Sequence, residues 1–141
     1  MITITTAHAD STAAASAVFA RWADTASWPE WNIDTEWVRL DGPFVEGASG
    51  LLKPRGGPKV KFVVQKLIAD REFVDVSQLP GARLTFAHLL TSRPDGGCSI
   101  DVTVTMTGPL RWVWTRILGS GFRASAQPDL DRLVKAVEGR R

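Results

Sequence analysis

The final third of the chain, Pro109 to Glu138, sets the terms for everything before it. It reads as one long helix, entered through Gly108-Pro109 and left through Gly139. Proline is tolerated in a first helical turn, where its missing N–H would have no intrahelical partner. Leu110, Val113, Trp114 and Ile117 form one apolar stripe at helical spacing; Leu130, Leu133, Val134 and Val137 form a second. At about 100° per residue, position 130 lies roughly 200° round from position 110 on a straight helix. Two stripes so placed cannot both face one flat partner. Gly119, Gly121 and Pro128 lie between them and offer a bend. The pattern predicts a long, kinked helix laid across a curved sheet, with a gap beneath it.

Upstream, the dominant period is two. Ile2 to Ala7 is expected as a short strand, with Asp10 or Ser11 capping the helix that follows. Ala15, Val18, Phe19 and Trp22 then share one helical face. Trp28-Pro29 breaks that pattern and starts a second short helix. Six strands follow: Ile33–Leu40, Ser49–Pro54, Lys59–Ala69, Arg71–Gln78, Arg83–Thr91 and Ser99–Thr107. Their turns are rich in Gly, Pro and Asp. The last strand alternates most cleanly, with Ile100, Val102, Val104 and Met106 set against Asp101, Thr103, Thr105 and Thr107. That is the mark of an antiparallel sheet covered on one side. The order strand, two helices, six strands, long helix makes an α+β fold over one core, a single domain spanning 1–141.

Composition narrows the function classes. Six Trp and six Phe with no Tyr suit a bulky apolar core or an apolar cavity. Seventeen basic against fifteen acidic side chains leave a formal charge of +2, too weak to argue for nucleic acid. Arg132, Lys135, Arg140 and Arg141 are read as cations at a helix C-terminus. One cysteine, Cys98, allows no intrachain disulfide. No signal-peptide pattern opens the chain, and no apolar run reaches membrane-spanning length. A cytoplasmic setting without membrane insertion is the expectation, with the oligomeric state open between monomer and homodimer.

The chain resembles the START/Bet v 1-like (SRPBCC) superfamily, and within it the polyketide cyclase/dehydrase and lipid-transport group. The matching residues are Val18-Phe19, Trp28-Pro29-Glu30-Trp31-Asn32, Leu40-Asp41-Gly42 with Gly47 and Gly50, Asp95-Gly96-Gly97, and Gly108-Pro109-Leu110. The resemblance covers essentially the whole chain. It implies a helix-grip fold of about seven strands wrapped around the terminal helix, with an internal apolar cavity. It implies no particular reaction.

His88 is the most informative polar residue, because Leu84, Phe86, His88 and Leu90 share one strand face. If that face looks inward, His88 binds a ligand oxygen or serves as general acid or base. Otherwise it is a hydrogen-bonded or solvated histidine. Trp37, Phe62, Phe86, Val102, Val104, Met106, Trp114 and Ile117 are the expected ligand-contacting residues beside it. Trp37 is either a cavity wall or a cover for the outside of the sheet. Trp22 is expected in the core, Trp31 as a plug at one end, Trp28 partly exposed, and Trp112 near a cavity mouth. Asp75 and Ser77 are expected in solvent, with Val74 and Val76 on the inner side. Arg116 and Arg123 are read as solvated.

Other motifs carry little. Gly119-Ser120-Gly121-Phe122-Arg123-Ala124 matches G-x-G-x-x-A but lies inside a helical pattern, away from any strand end. His8 and His88 lack metal-ligand spacing, so no metal or other cofactor is expected. The expected function is binding of a small hydrophobic molecule, lipid-, aromatic- or polyketide-like, under the terminal helix. The alternatives are a cyclase or dehydratase using His88 as acid–base group, and a protein-interaction module.

Overall fold

The computed structural model describes residues 1–139. In chain order these form β1 (Ile2–Ser11), α1 (Ala15–Ala23), a 3₁₀ segment (Thr25–Glu30), β2 (Thr35–Leu40), β3 (Ser49–Pro54), β4 (Val60–Ile68), β5 (Glu72–Leu79), β6 (Ala82–Ser92), β7 (Cys98–Thr107) and α2 (Arg111–Glu138). The seven strands make one antiparallel sheet in the order β1-β7-β6-β5-β4-β3-β2. It is the expected α+β helix-grip arrangement, a curved open sheet followed by a long C-terminal helix. Arg140 and Arg141, read above as part of a basic cluster, lie outside the described residues.

The first strand runs four residues past its expected end, so Asp10 and Ser11 are strand residues and not caps. Ala14 takes the N-cap of α1 without any side-chain hydrogen bond. Ser11 instead ties the two ends of the chain together. Its hydroxyl donates to Glu138 at 2.7 Å and accepts from the Ala13 N–H at 3.1 Å. The apolar face of α1 is as expected, with Ala15, Val18 and Trp22 buried. Trp28 is buried too, against the expectation of partial exposure, because its indole N–H donates to the Trp22 carbonyl at 3.0 Å.

Register bulges interrupt β1 between Thr3 and Thr5, β2 between Thr35 and Trp37, and β4 between Val64 and Lys66. Such bulges bend a strand and increase its twist. Gly50 serves the same curvature. A Cβ at this position would collide with the Arg39 carbonyl oxygen of the paired strand and lie 2.9 Å from the Phe62 ring, so only glycine fits here.

The long helix is continuous through Gly119, Gly121 and Pro128, and ends at Gly139 in the left-handed conformation that glycine adopts cheaply. Its two apolar stripes have different fates. Leu130, Leu133 and Val134 are buried against α1 and the sheet. The first stripe was expected to face the sheet, and this is corrected. Leu110, Val113 and Ile117 are exposed, and of the four only Trp114 packs inward. The 200° offset is met by leaving one stripe outside.

Two apolar clusters result. One joins α1, the 3₁₀ segment, the C-terminal half of α2 and the sheet through Trp22, Trp28, Phe62, Phe73, Ile100 and Leu133. The other joins Ile4, Leu84, Val104 and Met106 to Trp114 and Phe122 of α2. Among the described residues, no helix is long and apolar enough to cross a membrane.

Candidate functional site

The site lies where these two clusters meet on the inner face of the sheet. Strand pairing fixes which residues share that face. Ala7, Val102, His88 and Phe73 make one row across β1, β7, β6 and β5. Val104, Phe86, Asp75 and Val64 make the next row, across β7, β6, β5 and β4. At either end of β6 and β7 the face is closed: Leu84, Leu90, Ile100, Val104 and Met106 are all buried. Between those ends Phe86, His88 and Val102 are only half-buried. The helix therefore grips the sheet at two places and leaves its middle less covered. An open recess of about 500 Å³ lies beside Gln127 of α2 at the β1–β7 edge, lined by Thr6, Ala7, His8, Asp101, Val102 and Thr103; neither His88 nor Asp75 lines it.

His88 points inward, as the Leu84–Leu90 alternation suggests. Its ring stacks on Phe73, with centroids 4.8 Å apart and planes inclined by 12°. Trp22 of α1 lies 5.1 Å away on another side. The Nδ1 atom is 2.9 Å from the Phe73 carbonyl oxygen. A carbonyl only accepts, so Nδ1 carries the proton and Nε2 presents a lone pair. Burial pulls the imidazole down to about 4, outweighing the hydrogen bond to Phe73, which favours the cation. At neutral pH the ring is a neutral acceptor.

Asp75 is the residue that sequence reasoning put on the wrong side. The face carrying Phe73, Asp75 and Ser77 looks inward, because these three pair with His88, Phe86 and Leu84. Asp75 is 5% exposed. Its Oδ1 is buried with no hydrogen-bond partner among the described residues. Desolvation raises its carboxyl to about 7, opposed only by a hydrogen bond from its own backbone. The misplacement has a simple cause. All five residues from Phe73 to Ser77 are buried, so alternation says nothing about which side is inner. The available signal was Phe73, whose bulk is better spent on a core than Val74 or Val76.

The other expected contacts separate into three groups. Phe86, His88 and Val102 come together around the half-open middle, joined by Phe122 of α2 at 5.5 Å from the Phe86 ring. Phe62, Val104 and Met106 are inner but enclosed by packing. Trp114 closes one end, its indole N–H donating to the Pro80 carbonyl at 2.7 Å. Three residues lie elsewhere. Trp37 shares the outer face of β2 with Arg39, whose guanidinium sits 5.7 Å from its ring, opposite the side that holds Val38 and Leu40. Ile117 is 61% exposed, on the far side of α2, and Trp112 is 67% exposed. Arg123 is not simply solvated, since its Nε donates to the Ile4 carbonyl at 3.2 Å.

Among the described residues, no group of three His, Cys, Asp or Glu side chains is placed to hold a metal ion. His8 bonds Asp101 at 2.7 Å on the surface, one position along from the Ala7–Val102–His88 row and on the opposite face of the sheet.

Comparison with known proteins matches the whole of this architecture. The family model described as polyketide cyclase / dehydrase and lipid transport matches residues 1–138. A solved structure from Mesorhizobium loti superposes with a TM-score of 0.77 at 11% identity, covering 97% of this chain and 98% of that one. Truncated norcoclaurine synthase from Thalictrum flavum superposes with a TM-score of 0.74 at 10% identity, covering 97% and 94%. A putative protein of the dynemicin biosynthetic locus gives 0.71 at 16% identity, covering 96% of this chain and 48% of that chain. At such identities the likeness is one of fold. No curated protein matches by sequence.

Proposed function

The chain belongs to the polyketide cyclase / dehydrase and lipid transport family, and from that premise we propose that it binds a small, largely apolar molecule between the sheet and α2. The molecule lies against Phe86, Val102 and Phe122, with Trp22 beside it and the Nε2 of His88 accepting a hydrogen bond from a ligand hydroxyl or N–H. The observation that carries this reading is His88 itself: an inward, half-open, neutral imidazole between two closed apolar clusters. Full burial of a side-chain-sized apolar group contributes about 1.5–3 kcal/mol, so a few such contacts suffice for micromolar affinity.

A second reading is turnover of cyclase or dehydratase type, with His88 as the acid–base group. It requires another polar group on the same face, and Asp75 supports it by occupying the adjoining row.

Titration of intrinsic tryptophan emission with a panel of apolar aromatics tests binding, since Trp22 adjoins the site. A saturable change is expected, weakened in His88→Leu while the thermal transition persists. No saturable change with any member of the panel would sink the proposal. Equal affinity in His88→Leu would remove His88 from the site. Mass analysis of each bound compound after incubation separates carriage from turnover.

A further inference from the structure

Asp75 and Ser77 are polar groups on the inner face left over once His88 is accounted for, and Asp75 alone of the two is ionisable. Asp75 lies opposite Val64 on one side and Phe86 on the other. His88 is two residues along β6 from Phe86, which sets the two polar residues diagonally, roughly 7–8 Å apart at Cα. Among the described residues no salt bridge or side-chain hydrogen bond reaches the carboxyl, and its Oδ1 faces the interior unpaired. A buried polar atom without a partner is uncommon in native proteins and calls for an occupant.

We infer that Asp75 is a specificity-determining residue that meets the ligand as a carboxylic acid, donating a hydrogen bond to a neutral acceptor oxygen and excluding carboxylate ligands. The inference rests on the reading above, that a small molecule occupies the gap. Its basis is donor–acceptor arithmetic. His88 Nε2 offers only a lone pair, and an ionised Asp75 offers only more of them. Between them, two such acceptors with no cation offer a ketone or ester no donor; a further unpartnered donor, the Trp22 indole N–H, belongs to α1 beside His88. Protonation turns one acceptor into a donor, and the surroundings favour it: Val64 and Phe62 are fully enclosed, and burial holds the acid form to near neutrality. A ligand carboxylate brought here would be a buried anion without a counter-charge, which is costly. The pair thus suits a ligand with a carbonyl at Asp75 and a hydroxyl at His88.

Prodan, a neutral naphthyl ketone, is a direct probe, because its emission moves to longer wavelength when the carbonyl accepts a hydrogen bond. Naphthalene, naphthoate and a naphthylmethylammonium ion complete the set, all measured on the acid side of the Asp75 titration. Wild type is expected to bind prodan with red-shifted emission and to bind naphthoate more weakly than naphthalene. Asp75→Leu is expected to weaken prodan roughly fivefold to tenfold and to shift its emission to the blue, without weakening naphthalene. Asp75→Asn retains an N–H donor and keeps the red shift. Prodan bound by Asp75→Leu with unchanged affinity and emission would overturn the inference and leave the binding reading intact. Ammonium binding that is tightest in wild type and lost in Asp75→Leu would also overturn it, by making Asp75 an ion-pairing carboxylate. No binding of naphthalene or prodan by wild type would overturn the binding reading, and the inference with it.

Discussion

Gln127 of α2 pairs with His8 of β1 as a neighbouring strand would. Its amide Nε2 donates to the His8 carbonyl at 2.8 Å, and its Oε1 accepts the His8 N–H at 3.1 Å. β1 is an edge strand, whose outward N–H and C=O groups would otherwise be open to another chain. Arg123 covers the Ile4 carbonyl in the same way, and Glu138 accepts from the Thr12 N–H at 3.1 Å. The terminal helix thus closes one edge of the sheet with side chains while its apolar residues hold the inner face.

Removing that closure has a local signature. Gln127→Ala is expected to cost about 1–2 kcal/mol for two lost hydrogen bonds. Hydrogen exchange at the His8 amide should accelerate more than exchange in β6. Unchanged protection at His8 would show that the pairing contributes nothing.

His88 and Asp75 oppose one another in pH dependence. His88 falls to about 4, so the unfolded chain binds the extra proton below pH 6.5. Its contribution is therefore present above the unfolded value and lost as pH drops through 6.5 towards 4. Asp75 rises to about 7, so the folded chain holds the extra proton. Its contribution is present in acid and lost as pH climbs from about 4 to 7. His88 is worth about 3 kcal/mol and Asp75 about 4 kcal/mol at most, with opposite signs, and their pH slopes nearly cancel between pH 4 and 6.5. Chemical denaturation across that range is expected to show Asp75→Asn gaining stability relative to wild type as pH rises. His88→Leu is expected to lose it over the same range. Parallel curves for all three proteins would refute both shifts.

The halves of α2 should respond differently to truncation. Leu133→Ala opens a cavity in the larger cluster and should cost about 2–5 kcal/mol. Ile117→Ala, at an exposed position, should stay within about 0.5 kcal/mol of wild type. Similar losses at the two positions would mean that the first stripe is docked after all.

Gly50→Ala drives a methyl group into the Arg39 backbone carbonyl and against the Phe62 ring. Overpacking of this kind costs about 1–3 kcal/mol, and a lowered midpoint of thermal unfolding is the expected result. A variant as stable as wild type would show that the paired backbone and the ring both have room to withdraw.

Much of the fold was legible before any coordinates. The alternation from Ile100 to Met106, the Ala15–Val18–Trp22 face and the Gly139 terminus are set by the geometry of a few consecutive residues. They appear where spacing put them. The inward face of His88 was legible for the same reason, since Leu84 and Leu90 flank it on a strand with an evident apolar side. Asp75 was not, because β5 is buried on both sides and its pattern is symmetrical. Trp37 was left open between two faces, and the pairing of β2 with β3 settled it outward.

Periodicity in this chain names the elements, their turns and the two faces of each, because those follow from covalent geometry over a span of two to four residues. Which face meets the interior depends on partners far away in sequence. Asp75 is inside because β5 pairs with β6 in the register that sets Phe73 against His88. Leu110, Val113 and Ile117 are outside because α2 is anchored by Leu133 towards one end and by Trp114 towards the other. A rigid rod held at two points has no freedom left to turn a third face inward.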